Sequence, residues 1–186
     1  SISEADGWSS ERVSHRASEI ERVRVGLGVT SDQIFELGFP TTKLDQFSLS
    51  ELIEKISSTI NVFQPEEIFL PHPGDVHSDH RVTFEAATAC TKWFRYPSIK
   101  RVLTYETLSE TDFGIDPRHV SFNPNVFVDI TQYLDQKAAL LSVYESEMGN
   151  LPFPRSEEGI RALATIRGVQ AGFKAAESFC LLRERN

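Results

Sequence analysis

Ile68-Phe69-Leu70-Pro71-His72-Pro73-Gly74-Asp75-Val76-His77-Ser78-Asp79-His80-Arg81 is the stretch on which the reading of this chain turns. It opens as an apolar run, passes through a Pro/Gly loop and closes on residues that suit the start of a helix. Three of the five histidines and two aspartates fall within the eleven positions from Pro71 to Arg81. A polar loop leaving the carboxyl end of a strand is where α/β sheets place ligand sites. Histidine and aspartate are also the side chains that bind divalent metals and move protons near neutral pH.

Working outward, residues 66–70 predict a strand and residues 78–94 a helix through Phe84, Ala87 and Cys90. Upstream, Leu52, Ile53, Ile56 and Ile60 give residues 50–63 one apolar helical face, closed by Pro65. Residues 33–37 read as a short strand ended by Gly38-Phe39-Pro40. Residues 11–27 read as a helix capped by Ser9-Ser10, with Val13, Ala17, Ile20, Val23 and Leu27 inward and Gly26 and Gly28 as the stop. Residues 1–8 suggest the end of a strand running into a polar turn. Downstream, a strand at 101–106 and a loop at 109–125 with Gly114, Pro117 and Pro124 are expected. A strand at 126–130 and a helix from Thr131 through Tyr144 follow. Pro152 and Pro154 break the chain before a last helix at 156–179. Strands alternating with helices of ten or more residues predict one α/β domain with a mostly parallel sheet and helices on both faces.

Composition narrows the function. The chain of 186 residues is long enough to bury roughly 70% of its unfolded surface. With 40% hydrophobic and 25% charged residues it falls in the range of soluble globular proteins. A formal net charge of -8 and scattered basic residues argue against nucleic acid or an anionic membrane as partner. Arg12, Arg16, Arg22 and Arg24 are interleaved with Glu11, Glu19 and Glu21, the pattern of a solvated helix face. No apolar stretch approaches the ~18 residues of a membrane span, and the N-terminus lacks the regions of a signal peptide. Cys90 and Cys180 sit in apolar patterns read as helical, which suits reduced, packed thiols and a cytoplasmic protein. No initiator Met is present, so residues before Ser1 are expected.

The histidine loop admits two readings. With a helix starting near Ser78, His77 and His80 can face one crevice. A catalytic zinc takes three protein ligands plus a water, and His residues supply neutral nitrogens. Asp79 could orient an imidazole or cap the helix. The alternative is a capped helix with solvent-facing histidines, because two ligands do not make a catalytic zinc site. A dinucleotide role is not supported, since no GxGxxG follows a strand.

The motif from Pro71 to Arg81 resembles the second signature of the PIG-L/LmbE-like family of metal-dependent N-acetyl-sugar deacetylases. Arg16 and Glu19 before Gly28-Val29 resemble that family's helix ending in Leu-Gly-Val. Leu37-Gly38-Phe39-Pro40, with Leu44-Asp45 after it, resembles its LGFPD-type turn, although Thr41 stands where Asp is usual. Phe122-Asn123-Pro124-Asn125-Val126-Phe127-Val128-Asp129-Ile130 is similar to its later strand. Tyr144-Glu145-Ser146, Arg167-Gly168-Val169-Gln170-Ala171-Gly172 and Ala176-Glu177-Ser178-Phe179 are similar to its C-terminal region. The resemblance implies a three-layer, Rossmann-like fold.

It also implies a zinc-dependent hydrolase, or one using another divalent metal, that removes the acetyl group from an N-acetylglucosaminyl-type substrate by metal-activated water. Residue by residue, His80 resembles a metal ligand and His77 the histidine that stabilises the tetrahedral intermediate and protonates the leaving amine. Asp79 resembles a partner behind the site and Arg16 a substrate contact, while His72 and Asp75 have weaker claims as loop supports. Glu177 reads as structural. The family's N-terminal His-Pro-Asp-Asp-Glu motif, with a His ligand, an Asp ligand and a general base, has no counterpart here. The first strand–helix unit is expected before Ser1, and the chain by itself is expected to bind zinc poorly and not to deacetylate. A partner or homo-oligomer is expected to cover the edge such a gap exposes. The alternatives are a deacylase of a thiol conjugate or antibiotic intermediate, and a non-catalytic binding or assembly protein on the same fold.

Overall fold

The computed structural model describes residues 2–4, 7–118 and 120–186. By its internal contacts the chain divides into two compact units. One comprises Ser1–Pro40 and Val128–Glu177, the other Thr41–Phe127 and Ser178–Asn186.

The second unit carries the histidine loop. Its helices are α2 (Leu49–Phe63) and α3 (Ser78–Ala89), and its first strands are β1 (Glu67–Pro71) and β2 (Arg101–Tyr105). Ser48 caps α2 by accepting the Glu51 N–H, and Gln64 ends it in the left-handed region at φ 52. The apolar stripe of α2 then does what its spacing predicts. Ile60, with Ile53 and Ile56 at its edge, joins Leu70 of β1, Ala87 of α3, Val102 of β2, and Cys90, Tyr96 and Ile99 in one core. β1 and β2 pair in parallel from Glu67↔Arg101 to Pro71↔Tyr105. That register brings the carboxyl ends of both strands to the loop that begins at Pro71.

The sheet order is β1-β2-β4-β3, with β3 spanning Val126–Asp129 and β4 spanning Ala176–Glu184. β2 and β4 pair antiparallel, with a bulge between Val102 and Leu103. The expected mostly parallel sheet is therefore a mixed one. The cause is β4, whose first four residues fall within the helix expected at 156–179. That helix, α5 (Glu157–Ala171), stops at Gly172, whose φ of 81 suits glycine alone without strain. Cys180 accordingly lies in a strand, paired with Thr104.

In the first unit, Ser9 caps α1 (Ser10–Gly26) and Ser156 caps α5. Ile130, Ala164 and Ala175 form its buried cluster, with Leu134 of α4 (Leu134–Leu141) against it. Gly168 of α5 packs so closely on Ala175 that a Cβ there would meet its backbone. The strand expected at 33–37 is absent. Ser31–Gln33 is a single 3-10 turn with a Thr30–Gln33 capping box, and Ile34 and Phe35 beyond it are exposed and outside any strand. No strand occurs at residues 2–4 either; Ser1, Ala5 and Asp6 lie outside the described residues. The helices expected at 78–94 and 131–144 are the shorter α3 and α4.

Neither cysteine is in a disulfide. Cys90 is fully buried, and burial pushes its thiol above the usual range, disfavouring the thiolate. A thiol reagent at neutral pH should therefore modify Cys180 well before Cys90; equal rates in the folded protein would contradict this packing. Leu103, 1% exposed at the centre of the sheet, should cost about 2–5 kcal/mol when changed to Ala, read as a lower urea midpoint at unchanged slope.

Candidate active site

β1 ends at Pro71, and the chain crosses a compact loop to His77, the residue that caps α3. The loop is drawn inward. His72 is 4% exposed and Asp75 has no exposure at all. The Asp75 N–H donates to the His72 carbonyl at 3.2 Å. Gly74 lies where a Cβ would collide with the Val120 carbonyl, and Gly114 where one would collide with the Gly74 carbonyl. Backbone atoms of Glu110, Gly114 and Val120 are thus in direct contact with the histidine loop. The Val76 N–H donates to the Glu110 carbonyl at 3.0 Å, and His72 Nε2 donates to the Val120 carbonyl at 2.8 Å. Among the described residues, the buried His72 Nδ1 has no hydrogen-bond partner. His72 therefore ties loop to loop.

The other two histidines stack, with ring centroids 4.9 Å apart and planes 19° from parallel. Each has one nitrogen committed. The Asp79 N–H donates to His77 Nδ1 at 3.1 Å, so the imidazole fills the role that Ser, Thr or Asp usually plays at a helix start. Since Nδ1 accepts, the neutral ring carries its proton on Nε2. His80 is the reverse. Its Nδ1 lies 2.7 Å from Asp75 Oδ2, so it donates to the carboxylate, and in the neutral ring Nε2 is then the bare nitrogen. The buried carboxylate takes its second bond from the Thr111 hydroxyl at 2.6 Å. Tyr105, at the end of β2, has its phenol pushed above the usual range, first by burial and then by the charge of Asp75.

Asp79 is elsewhere. Its carboxylate accepts the backbone N–H groups of Thr42 (2.6 Å) and Leu44 (3.2 Å). Thr42 has φ 61, a conformation a β-branched residue adopts only when its surroundings enforce it. The aspartate behind the paired rings is thus Asp75, which touches His80, while Asp79 holds a neighbouring segment. Asp75 was within reach of sequence reasoning because it lies in the motif. Thr111 was not, because nothing near it in the chain marks it.

Arg16 lies in the first unit. Its guanidinium pairs with Glu147 (2.5 Å) and Glu19 (3.3 Å), donates to Ser146 at 3.1 Å and sits over the Tyr144 ring. Glu19 is 1% exposed and also accepts the Glu145 N–H at 3.0 Å. Ser9, Glu11, Arg12 and His15 complete the lining of a depression of about 320 Å³ around this pair. Glu177, read as structural, pairs with Lys137 at 2.5 Å.

Whether the residues suit a metal follows from the donors. Among the described residues no group of three or more His, Cys, Asp or Glu is arranged to hold an ion. His80 offers one oriented nitrogen, as metal-binding histidines do when a carboxylate holds the other. The described residues by themselves do not compose a catalytic zinc site.

Residues 2–91 match the PIG-L family model, whose description is GlcNAc-PI de-N-acetylase, a span that includes Arg16 and the entire histidine loop. Two solved structures share the fold. The conserved protein TT1542 from Thermus thermophilus superposes with a TM-score of 0.70 at 22% identity, over 96% of this chain and 76% of that one. The N,N'-diacetylchitobiose deacetylase from Pyrococcus horikoshii, complexed with its inhibitor MPG, gives 0.69 at 21% identity, over 91% of this chain and 64% of the deacetylase. This chain thus spans less than two thirds of the Pyrococcus enzyme. The family match thus covers the N-terminal 90 of 186 residues, just under half of the chain, and the two structures extend the likeness in fold over nearly all of it.

The Asp79 contacts are testable directly. Asp79→Ala should speed hydrogen exchange at the Thr42 and Leu44 amides by tenfold or more, roughly the worth of a charge-assisted hydrogen bond, and leave the His80–Asp75 pair in place. Unchanged exchange at both amides would refute the assignment.

Proposed function

We propose that the protein is an N-deacetylase of N-acetylglucosaminyl-type substrates and that the loop from Pro71 to Arg81 supplies part of its active site. The observation that carries this reading is the opposite commitment of two stacked rings: His77 presents a proton on Nε2, and His80 presents a lone pair there. Amide hydrolysis needs a donor for the oxygen that becomes negative in the tetrahedral intermediate and an acid for the departing amine. His77 Nε2–H suits the first task, hydrogen-bonding the developing oxyanion, while the departing amine takes the proton that the attacking water gives up. The tautomer is imposed by the cap it makes on α3, so its donor is oriented before substrate arrives.

In this reading His80 gives one nitrogen to a divalent metal, zinc by preference. Because the described residues do not complete a metal site, no chemical step is assigned to the ion. Asp75 holds His80 in orientation, and Asp79 acts at a distance by fixing the segment from Thr42 to Leu44. Arg16 is a substrate contact by resemblance alone. A second reading, a binding protein that keeps the fold without catalysis, is favoured by the missing three-ligand cluster among the described residues.

The two readings separate on the protein as the cell makes it. An enzyme releases free amine from an N-acetylglucosaminyl conjugate, and His77→Ala lowers its turnover roughly a hundredfold or more with bound zinc unchanged. His80→Ala loses the zinc. If the unaltered protein binds such a conjugate and leaves its acetyl group in place, the binding reading replaces the catalytic one.

A further inference from the structure

The turn at residues 107–111 contributes a hydroxyl to the histidine site, and donor chemistry sets the direction of its hydrogen bonds. A backbone N–H can only donate, and that of Thr107 lies 2.8 Å from Thr111 Oγ1. The hydroxyl oxygen is therefore an acceptor there, and its one proton is free for Asp75 Oδ1 at 2.6 Å. An ionised Asp75 has acceptors only, so His80 Nδ1 must bring the proton to Oδ2. The outcome is a chain whose donors converge on Asp75: the Thr107 amide donates to Thr111, the Thr111 hydroxyl to Oδ1 and His80 Nδ1 to Oδ2.

We propose that Thr111 is a positioning residue for His80, setting its ring orientation and tautomer through the buried Asp75 carboxylate. Asp75 is fully buried, and its side chain can rotate about two bonds. With Oδ1 unheld, the carboxylate could turn toward another donor and release the imidazole. Thr111 prevents this by occupying the second oxygen. Its own hydroxyl is steered by the β-branch, which restricts χ1, and by the turn beneath it, where the Thr111 N–H donates to the Thr107 carbonyl at 2.9 Å. Ser109, within that turn, has φ 71. The adjacent Val76 N–H to Glu110 carbonyl bond fastens the same turn to the histidine loop. A displacement of residues 107–111 is therefore passed to His80 by hydrogen bonds alone. Under the deacetylase reading, on which the catalytic part of this inference rests, a substrate that contacts this turn would be sensed at the His80 ring.

The test combines nitrogen NMR of the histidine rings with kinetics. In the unaltered protein the Thr111 hydroxyl proton and the His80 Nδ1 proton should both exchange slowly with water. Thr111→Val keeps the shape and removes the hydroxyl; the His80 Nδ1 proton signal should broaden or vanish, and kcat should fall about tenfold, the lower range for partners behind a site, with KM little altered. Thr111→Ser should restore both. Rapid exchange of the Thr111 hydroxyl in the unaltered protein overturns the inference whatever the variants do. So does a normal His80 signal in folded Thr111→Val, or a Thr111→Ser protein that behaves like the valine variant, since packing of the methyl would then be the cause. Absence of deacetylation by the unaltered protein would sink the functional reading instead, and the ring spectra would still decide the role of Thr111.

Discussion

A carboxylate sealed from water must be met by donors on both oxygens, since an uncompensated buried charge costs several kcal/mol. Asp75 is in that position, and its two donors come from different parts of the second unit. His80 belongs to the first turn of α3, and Thr111 to the loop beyond β2. Meeting this one requirement closes the histidine loop over the end of the sheet and fixes which nitrogen of His80 faces outward. The glycines follow from the same closeness: Gly74 and Gly114 stand where a side chain would hold the two loops apart.

The two stacked rings show how one local geometry produces opposite chemical faces. His77 precedes α3, where amides point out of the helix unsatisfied, and its Nδ1 accepts one of them. His80 is three residues on, within the helix, where the nearest group is the Asp75 carboxylate, and its Nδ1 donates. Neither assignment depends on a bound ion or substrate. The site is ordered by its own hydrogen bonds before any ligand enters, the arrangement that keeps reorganisation small during a reaction.

Motif reasoning put Asp79 behind the rings because it stands beside His80 in the chain. In a helix first turn, adjacent residues point in directions about 100° apart, so neighbours in sequence need not share a face. Asp79 turns to the Thr42 and Leu44 amides, and Asp75, five positions before His80, is the aspartate within reach. The strand misread at 33–37 and the one overlooked at 176–184 share a cause. Short apolar runs do not state their period, and only the presence of a pairing partner decides between strand and coil or helix. β4 has β2 beside it, whereas Ile34 and Phe35 are exposed and lie outside any strand.

What the chain determined locally was considerable: amphipathic α2 with its serine cap, the strand–loop–helix order around Pro71, and the closeness of His77 and His80. These depend on interactions within a few residues, which periodicity and capping chemistry expose. The sense of the β2–β4 pairing, the turn of Asp79 away from the rings, and the Thr111 hydroxyl reaching Asp75 across a separation of 36 residues were decided only by the tertiary structure. Burial is what decided them, because a buried polar group takes whatever partner the packed chain brings within hydrogen-bond distance, and sequence separation does not enter that choice.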